Sequence, residues 1–259
     1  MTSEGKRPWC IAHRGARDEA PENTRVAFTH ALRYPIDGIE LDVQLSADGC
    51  CVIYHDATLR RVGGGGRRVA DLTAAQLADL DWGRWFHADF AGQKLLTLEE
   101  TLASFGPRTR LLIEIKSSPA EQRSGHSARL TRAVVDCLAA LPADVPSDHI
   151  HVLSFDVQVL QLGRRLAPQW RYVLNLPERD PEQVIAWPSA ELEGLWALDG
   201  RIAALTPALV AWAQARGLRV FTYTCNGPRQ VAKALRLGLD GILSDRPGWL
   251  TQYVQHIFG

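Results

Sequence analysis

Long apolar runs are missing from this chain of 259 residues. No stretch approaches the roughly 18 residues that a membrane-spanning helix needs. An excess of one charge is missing too, since 29 Lys+Arg face 29 Asp+Glu. That balance excludes a nucleic-acid binder working through a broadly positive surface. It leaves only a local basic cluster, Arg60, Arg61, Arg67 and Arg68. Cysteine is sparse: Cys10, Cys50, Cys51, Cys137 and Cys225 form an odd set without CxxC or paired Cys/His spacing. Zinc and a disulfide framework are poor readings of that set; reduced thiols packed as small apolar residues are the better one. Met1 to Pro8 are polar, without the apolar core of a leader peptide. The expected location is cytoplasmic. With 46% hydrophobic and 22% charged residues, disordered, collagen-like and disulfide-scaffold classes fall away. The length suffices for one large α/β core or two smaller ones.

Short β-branched or apolar runs alternate with amphipathic helical stretches. The strands expected are Trp9–His13, Gly38–Leu45, Leu111–Lys116, His149–Ser154, Arg171–Leu174, Gly194–Ala197, Arg219–Tyr223 and Gly241–Ser244. Helix starts stand between them: a capping box at Thr97-Leu-Glu-Glu100, and prolines at first helical turns in Thr206-Pro207 and Asp180-Pro181. Helical periodicity runs through Arg129–Leu141 and Val231–Leu237. Eight such units fit an α/β (β/α)₈ TIM barrel, with a doubly wound open sheet as the second choice. No linker or repeat marks a second domain, so residues 1–259 are expected to form a single one.

One stretch breaks the rhythm. Only Ser46-Ala47-Asp48-Gly49 separate Leu45 from Cys50, too few for a parallel crossover, and Asp48-Gly49 signals a hairpin turn. Cys50–His55 is then an antiparallel strand folding back on the second barrel strand. With Asp48 and Gly49 as the turn, Asp42 lies opposite His55, which returns beside Glu40. The following segment, about 57–94, carries Gly63–Gly66 and a short helix beginning at Thr73-Ala-Ala-Gln76. It is expected to be a small insertion lobe over the barrel mouth.

Glu40 and Asp42 are spaced by two in Gly-Ile-Glu-Leu-Asp-Val, and Glu114 and Lys116 by two in Leu-Leu-Ile-Glu-Ile-Lys. Each pair projects to one side of its strand. Carboxylates inside a barrel are costly unless paired or metal-bound. From spacing alone three readings stay open: a hard, oxygen-rich site for Mg²⁺ or Ca²⁺, a structural ion-pair cluster, and a paired-carboxylate site of the glycosidase kind. Two histidines shift the balance. His13 ends the first strand and His55 the hairpin strand, so both reach the rim that holds the carboxylates. Together they suit general acid/base work near neutral pH. Arg14 can offer a planar fork to phosphate, and Lys116 adds a second cation. That equipment describes phosphoryl chemistry better than sugar chemistry. The other histidines (His30, His87, His126, His149, His151, His256) lack such neighbours and are read as structural or solvated.

His13-Arg14-Gly15, Pro21-Glu22-Asn23-Thr24, Glu40-Leu-Asp42-Val, His55-Asp56 and Glu114-Ile-Lys116 occur in order, followed by Tyr223-Thr224-Cys225-Asn226 and Asp240-Gly-Ile-Leu-Ser-Asp245-Arg-Pro247. This ordered set resembles the glycerophosphodiester phosphodiesterase family over roughly Trp9 to Gln252. The resemblance implies a distorted (β/α)₈ barrel that hydrolyses glycerophosphodiesters, such as glycerophosphocholine or glycerophosphoethanolamine, to sn-glycerol 3-phosphate and an alcohol. It implies a divalent metal on Glu40, Asp42 and Glu114, His13 and His55 as acid and base, Arg14 on phosphate, and Lys116 at the substrate. Tyr223 stands where many members carry tryptophan, keeping an aromatic wall at the substrate, and Ser244 replaces a common threonine. Two rivals remain. One is a lysophospholipase D or sphingomyelinase D acting on lipid diesters, with Trp82, Trp85 and Phe86 as an apolar lip. The other is a catalytically silent, phosphodiester-binding barrel.

Overall fold

The computed structural model describes residues 6–259; the expectation about a leader core falls largely on residues 1–5, outside the described residues. Nine strands follow in chain order: β1 (Trp9–His13), β2 (Gly38–Leu45), β3 (Cys51–Ile53), β4 (Arg110–Ile115), β5 (Ile150–Ser154), β6 (Arg171–Asn175), β7 (Ala197–Arg201), β8 (Arg219–Tyr223) and β9 (Gly241–Ser244). Eight are parallel and run β1-β9-β8-β7-β6-β5-β4-β2, closing through a β1–β2 pairing; β3 lies antiparallel on β2. This is a closed TIM barrel, and the open-sheet alternative is set aside. The expected helix signals act as caps. Thr97 and Glu100 form a reciprocal box on helix Leu98–Phe105, and Thr206 caps helix Pro207–Gln214. Asp180-Pro181 instead opens a 3₁₀ segment, Pro181–Ala186. Among the described residues, no helix is long and apolar enough to cross a membrane.

The strand period of two builds the barrel in layers. Ile11, Leu112, Leu153, Val173, Ala197, Phe221 and Leu243 fill an apolar floor inside the barrel. Each fully buried Val, Leu, Ile or Phe side chain among them contributes roughly 1.5–3 kcal/mol. Two residues further along the same strands stand His13, Glu114, Phe155, Asn175, Asp199, Tyr223 and Asp245. One strand repeat, about 7 Å, thus separates the packed floor from a polar mouth at the strands' C-terminal ends.

Four expectations need correction. The hairpin register is shifted by one: Val43 pairs with Ile53 and Leu45 with Cys51, so Asp42 faces Tyr54, whose N–H it accepts at 2.9 Å. The turn is longer than Asp48-Gly49. Ser46 bonds Cys50 across Ala47–Gly49, and Gly49 takes the left-handed φ of 84° that closes a three-residue loop. The antiparallel strand is also shorter than Cys50–His55. Finally, the seventh barrel strand runs Ala197–Arg201, not Gly194–Ala197. Gly194 lies in a turn, and parallel pairing with Arg219–Tyr223 carries Asp199, Gly200 and Arg201 as strand despite their poor β-propensity.

Within 57–94, 3₁₀ turns at Leu59–Val62 and Val69–Asp71 and the helix Ala74–Ala78 surround a separate apolar cluster. It includes Tyr54, Leu59, Leu77 and Trp82. Trp82 is therefore not part of an apolar lip: it is buried, with its indole N–H donated to the Leu77 carbonyl at 2.9 Å.

Candidate active site

β1 ends by delivering His13 into the mouth, and the chain then turns sharply. Arg14 adopts a left-handed φ of 60°, uncommon for a side chain of its size, while its N–H reaches the Glu40 carbonyl at 2.9 Å. Gly15 follows because the loop presses on helix Arg25–Ala31: a Cβ there would stand 2.7 Å from the Ala27 carbonyl carbon.

His13 and His55 are built alike. Nδ1 of His13 lies 2.6 Å from Asp245 Oδ1, and Nδ1 of His55 lies 3.1 Å from Asp56 Oδ1. A carboxylate can only accept, so each Nδ1 carries the proton and each Nε2 keeps its lone pair. His13 Nε2 is 3.8 Å from Glu40. Burial lowers the pKa of both imidazoles, against the upward pull of Asp245 on His13 and of Asp42 on His55. Asp245 is itself anchored by Asn226 Nδ2 at 2.7 Å and Arg17 at 3.2 Å. Burial would raise its pKa, but the bond and charge of His13, with Arg17 and Asn226, hold it well below the usual carboxylate range.

Glu40, Asp42 and Glu114 are buried, and one oxygen of each lies within 4.8 Å of the others. Asn23 fixes Asp42 by donating from Nδ2 at 2.8 Å. Lys116 Nζ touches Glu114 at 2.7 Å and Asp42 at 3.2 Å, and Arg14 Nε lies 3.1 Å from Asp42. Three carboxylates thus share two cations. Asp42, held by Lys116 and Arg14 against its burial, is driven below the carboxylate range. Glu40 carries the surplus, since burial and the Asp42 charge push it well above. Ion pairs are present, yet the cluster still lacks positive charge, and its hard oxygen set fits a divalent cation. A paired-carboxylate site of the glycosidase kind would leave the two histidines, Arg14 and Lys116 surplus to its chemistry.

Glu22 organises the cations. Its buried carboxylate meets Arg14 at 3.0 Å, Arg61 at 2.8 Å and Arg17 at 2.7 Å. Arg61, which comes from the insertion, also holds Asp56 at 2.7 Å and stacks on Trp85 at 4.4 Å. Glu22, His55 and Asp56 also come close together, but Arg61 already occupies the space between the two carboxylates. A cavity of about 540 Å³ opens over the site, lined by His13, Arg14, His55, Lys116, Asp199 and Tyr223, among others.

All eight residues singled out from sequence therefore converge on one mouth. Glu22, Asp56 and Asp245 lay in the quoted motifs without an assigned task. Asp199 escaped notice because the seventh strand was misplaced. Asn226 lay in the Tyr223–Asn226 motif and Arg61 in the local basic cluster, both without an assigned task, while Arg17 and Asn175 gave no sequence signal beyond residue type.

A barrel with this mouth belongs to the phosphodiester hydrolases. The model of the glycerophosphoryl diester phosphodiesterase family matches residues 13–249, and the chain belongs to that family. It is 31% identical over 250 residues to a glycerophosphodiester phosphodiesterase of Caldanaerobacter subterraneus subsp. tengcongensis, covering 95% of this chain and 97% of the relative. It is 29% identical over 249 residues to one of Bacillus subtilis, covering 92% and 83%. Among solved structures, an Oleispira antarctica phosphodiesterase in complex with the product sn-glycerol-3-phosphate superposes with a TM-score of 0.80 at 28% identity, covering 96% of this chain and 97% of that one.

Proposed function

We propose that the chain is a metal-dependent glycerophosphodiesterase that releases sn-glycerol 3-phosphate and an alcohol from diesters such as glycerophosphocholine and glycerophosphoethanolamine. It works as a single barrel domain with 57–94 as its insertion, in the cytoplasm, on a small-molecule substrate and without nucleic acid. The observation that carries this reading is the pair of carboxylate-backed histidines flanking a three-carboxylate cluster. Glu40, Asp42 and Glu114 would hold Mg²⁺ or Ca²⁺, which when bound supplies positive charge to the non-bridging phosphate oxygens. Arg14 and Lys116 bind the phosphate and offset charge developing in the transition state, and Tyr223 forms the aromatic wall of the substrate site. One histidine, its Nε2 free, takes the proton of the attacking hydroxyl. The other, protonated, gives one to the leaving alkoxide. Asp245 and Asp56 hold the tautomers that these transfers require.

A coupled glycerol 3-phosphate assay over several glycerophosphodiesters, with added Mg²⁺, Ca²⁺ or EDTA, tests the reading. Turnover that depends on added metal and stops with chelation is expected; full activity in excess EDTA would sink the metal assignment. Adding acylated substrates separates this reading from the lipid-diester rival, which would turn them over in preference; burial of Trp82 leaves only Trp85 and Phe86 for its apolar lip.

A further inference from the structure

The arc of the mouth contributed by β6, β7 and β8 supplies no acid, base or metal ligand above, only the Tyr223 wall, yet it is unusually polar. Asn175 Oδ1, Asp199 Oδ1 and Tyr223 OH are buried atoms with no hydrogen-bond partner. Asn175 and Asp199 are each 2% exposed, they pair in register on neighbouring strands, and all three residues line the catalytic cavity. Their internal options are used up. The Asn175 amide Nδ2 donates to Glu114 at 3.1 Å, leaving the unpaired Oδ1 and the second N–H, and the nearby Arg201 guanidinium is turned to Glu178 at 3.3 Å. Among the described residues no cation pairs with Asp199. Burial, with Glu114 nearby, pushes its carboxyl well above the usual range.

Buried polar atoms without partners cost stability and are retained where something else supplies the bonds. The two acceptor oxygens of Asn175 and Asp199 face a phosphate's own acceptor oxygens unfavourably. A quaternary ammonium could meet the Asp199 carboxyl and the Tyr223 ring, but it neither donates nor accepts a hydrogen bond and would leave Asn175 Oδ1 and the Tyr223 hydroxyl unpaired. Neighbouring hydroxyl groups fit, because each both donates and accepts. We propose that Asn175, Asp199 and Tyr223 bind the free hydroxyls of the substrate's glycerol arm, fixing which side of the phosphodiester faces β6–β8. This rests on the glycerophosphodiesterase reading and adds Asn175 and Asp199 as specificity residues.

The test compares binding of sn-glycerol 3-phosphate and of inorganic phosphate to the Mg²⁺-loaded protein by calorimetry, together with thermal melting. Asp199→Leu removes an orphaned acid, so its Tm should rise while glycerol 3-phosphate binding weakens about tenfold relative to phosphate. Tyr223→Phe should weaken the same ratio by roughly threefold or more, and Asp199→Asn, which keeps a donor and an acceptor, should largely restore it. An unchanged ratio in Asp199→Leu and Tyr223→Phe would overturn the proposal and leave the arc an ordered-water pocket only. A lower Tm with both affinities reduced alike would make Asp199 merely structural, and also overturns it. Should Asp199→Leu not fold, Tyr223→Phe decides by the same ratio. Failure of the functional reading shows separately, as absent turnover of any glycerophosphodiester by the unaltered protein.

Discussion

The two ends of the barrel interior are built from the same strands and solve opposite problems. At the N-terminal end the Trp9, His151 and Trp196 rings pack tilted or edge-on against one another, with His151 and Trp196 centroids 4.6 Å apart, and Trp9 and Trp196 rest on Phe221 of the floor. Arg110, Arg171 and Arg219 lie over the indole faces at 4.6, 5.1 and 4.5 Å, so positive charge meets aromatic quadrupoles. At the mouth, carboxylates face carboxylates and polar atoms stand without partners. Stability belongs to the first end and chemistry to the second. The apolar floor lies between them, one side chain deep.

The sharpest way to break that contrast is at His13. His13→Ala should lower turnover by about 10²–10⁴-fold, with Tm little changed, because Asp245 keeps Arg17 and Asn226. Asp245→Asn should follow it closely, since an amide no longer dictates the His13 tautomer. Near-parental kcat in a folded His13→Ala protein ends the acid/base assignment. The reverse experiment is Trp196→Ala at the other end. It should cost about 3 kcal/mol of stability while kcat stays within a few-fold, measured by urea unfolding and steady-state kinetics. A large kcat loss there would mean the ends are coupled.

A further effect is pH-dependent. Burial, helped by Arg171, lowers the His151 pKa from 6.5 to about 3. Between those values the unfolded chain binds a proton that the folded one refuses. This residue therefore makes stability fall as pH drops from about 6.5 toward 3, by at most about 1.4 kcal/mol per pH unit. In His151→Phe that slope should flatten. Parallel urea-midpoint profiles for parent and variant between pH 4 and 7 would show that His151 is not the source.

Much of this was legible in the chain. Alternation placed β1, β2, β8 and β9 at their observed bounds, and spacing by two put Glu40 and Asp42 on one face and Glu114 with Lys116 beside them. Local patterns failed where tertiary pairing overrides propensity. The apolar Leu195-Trp196-Ala197 drew the seventh strand too early, and Asp199 was lost with it. The partners of His13 were out of reach for another reason: Asp245 lies 232 positions away, and only barrel closure joins β1 to β9. The Glu22 hub likewise depends on Arg61, which arrives from the insertion.

That hub has a consequence for how variants combine. Arg14, Arg17 and Arg61 hang on one carboxylate, so removing any one arginine lets the other two redistribute over Glu22. Removing Glu22 leaves three cations crowding one another at the rim. Substitutions at these four positions should therefore be strongly epistatic. A double variant such as Glu22→Gln with Arg61→Gln should be milder than the two single losses added together, and the insertion and the β1 loop should respond to mutation as one unit.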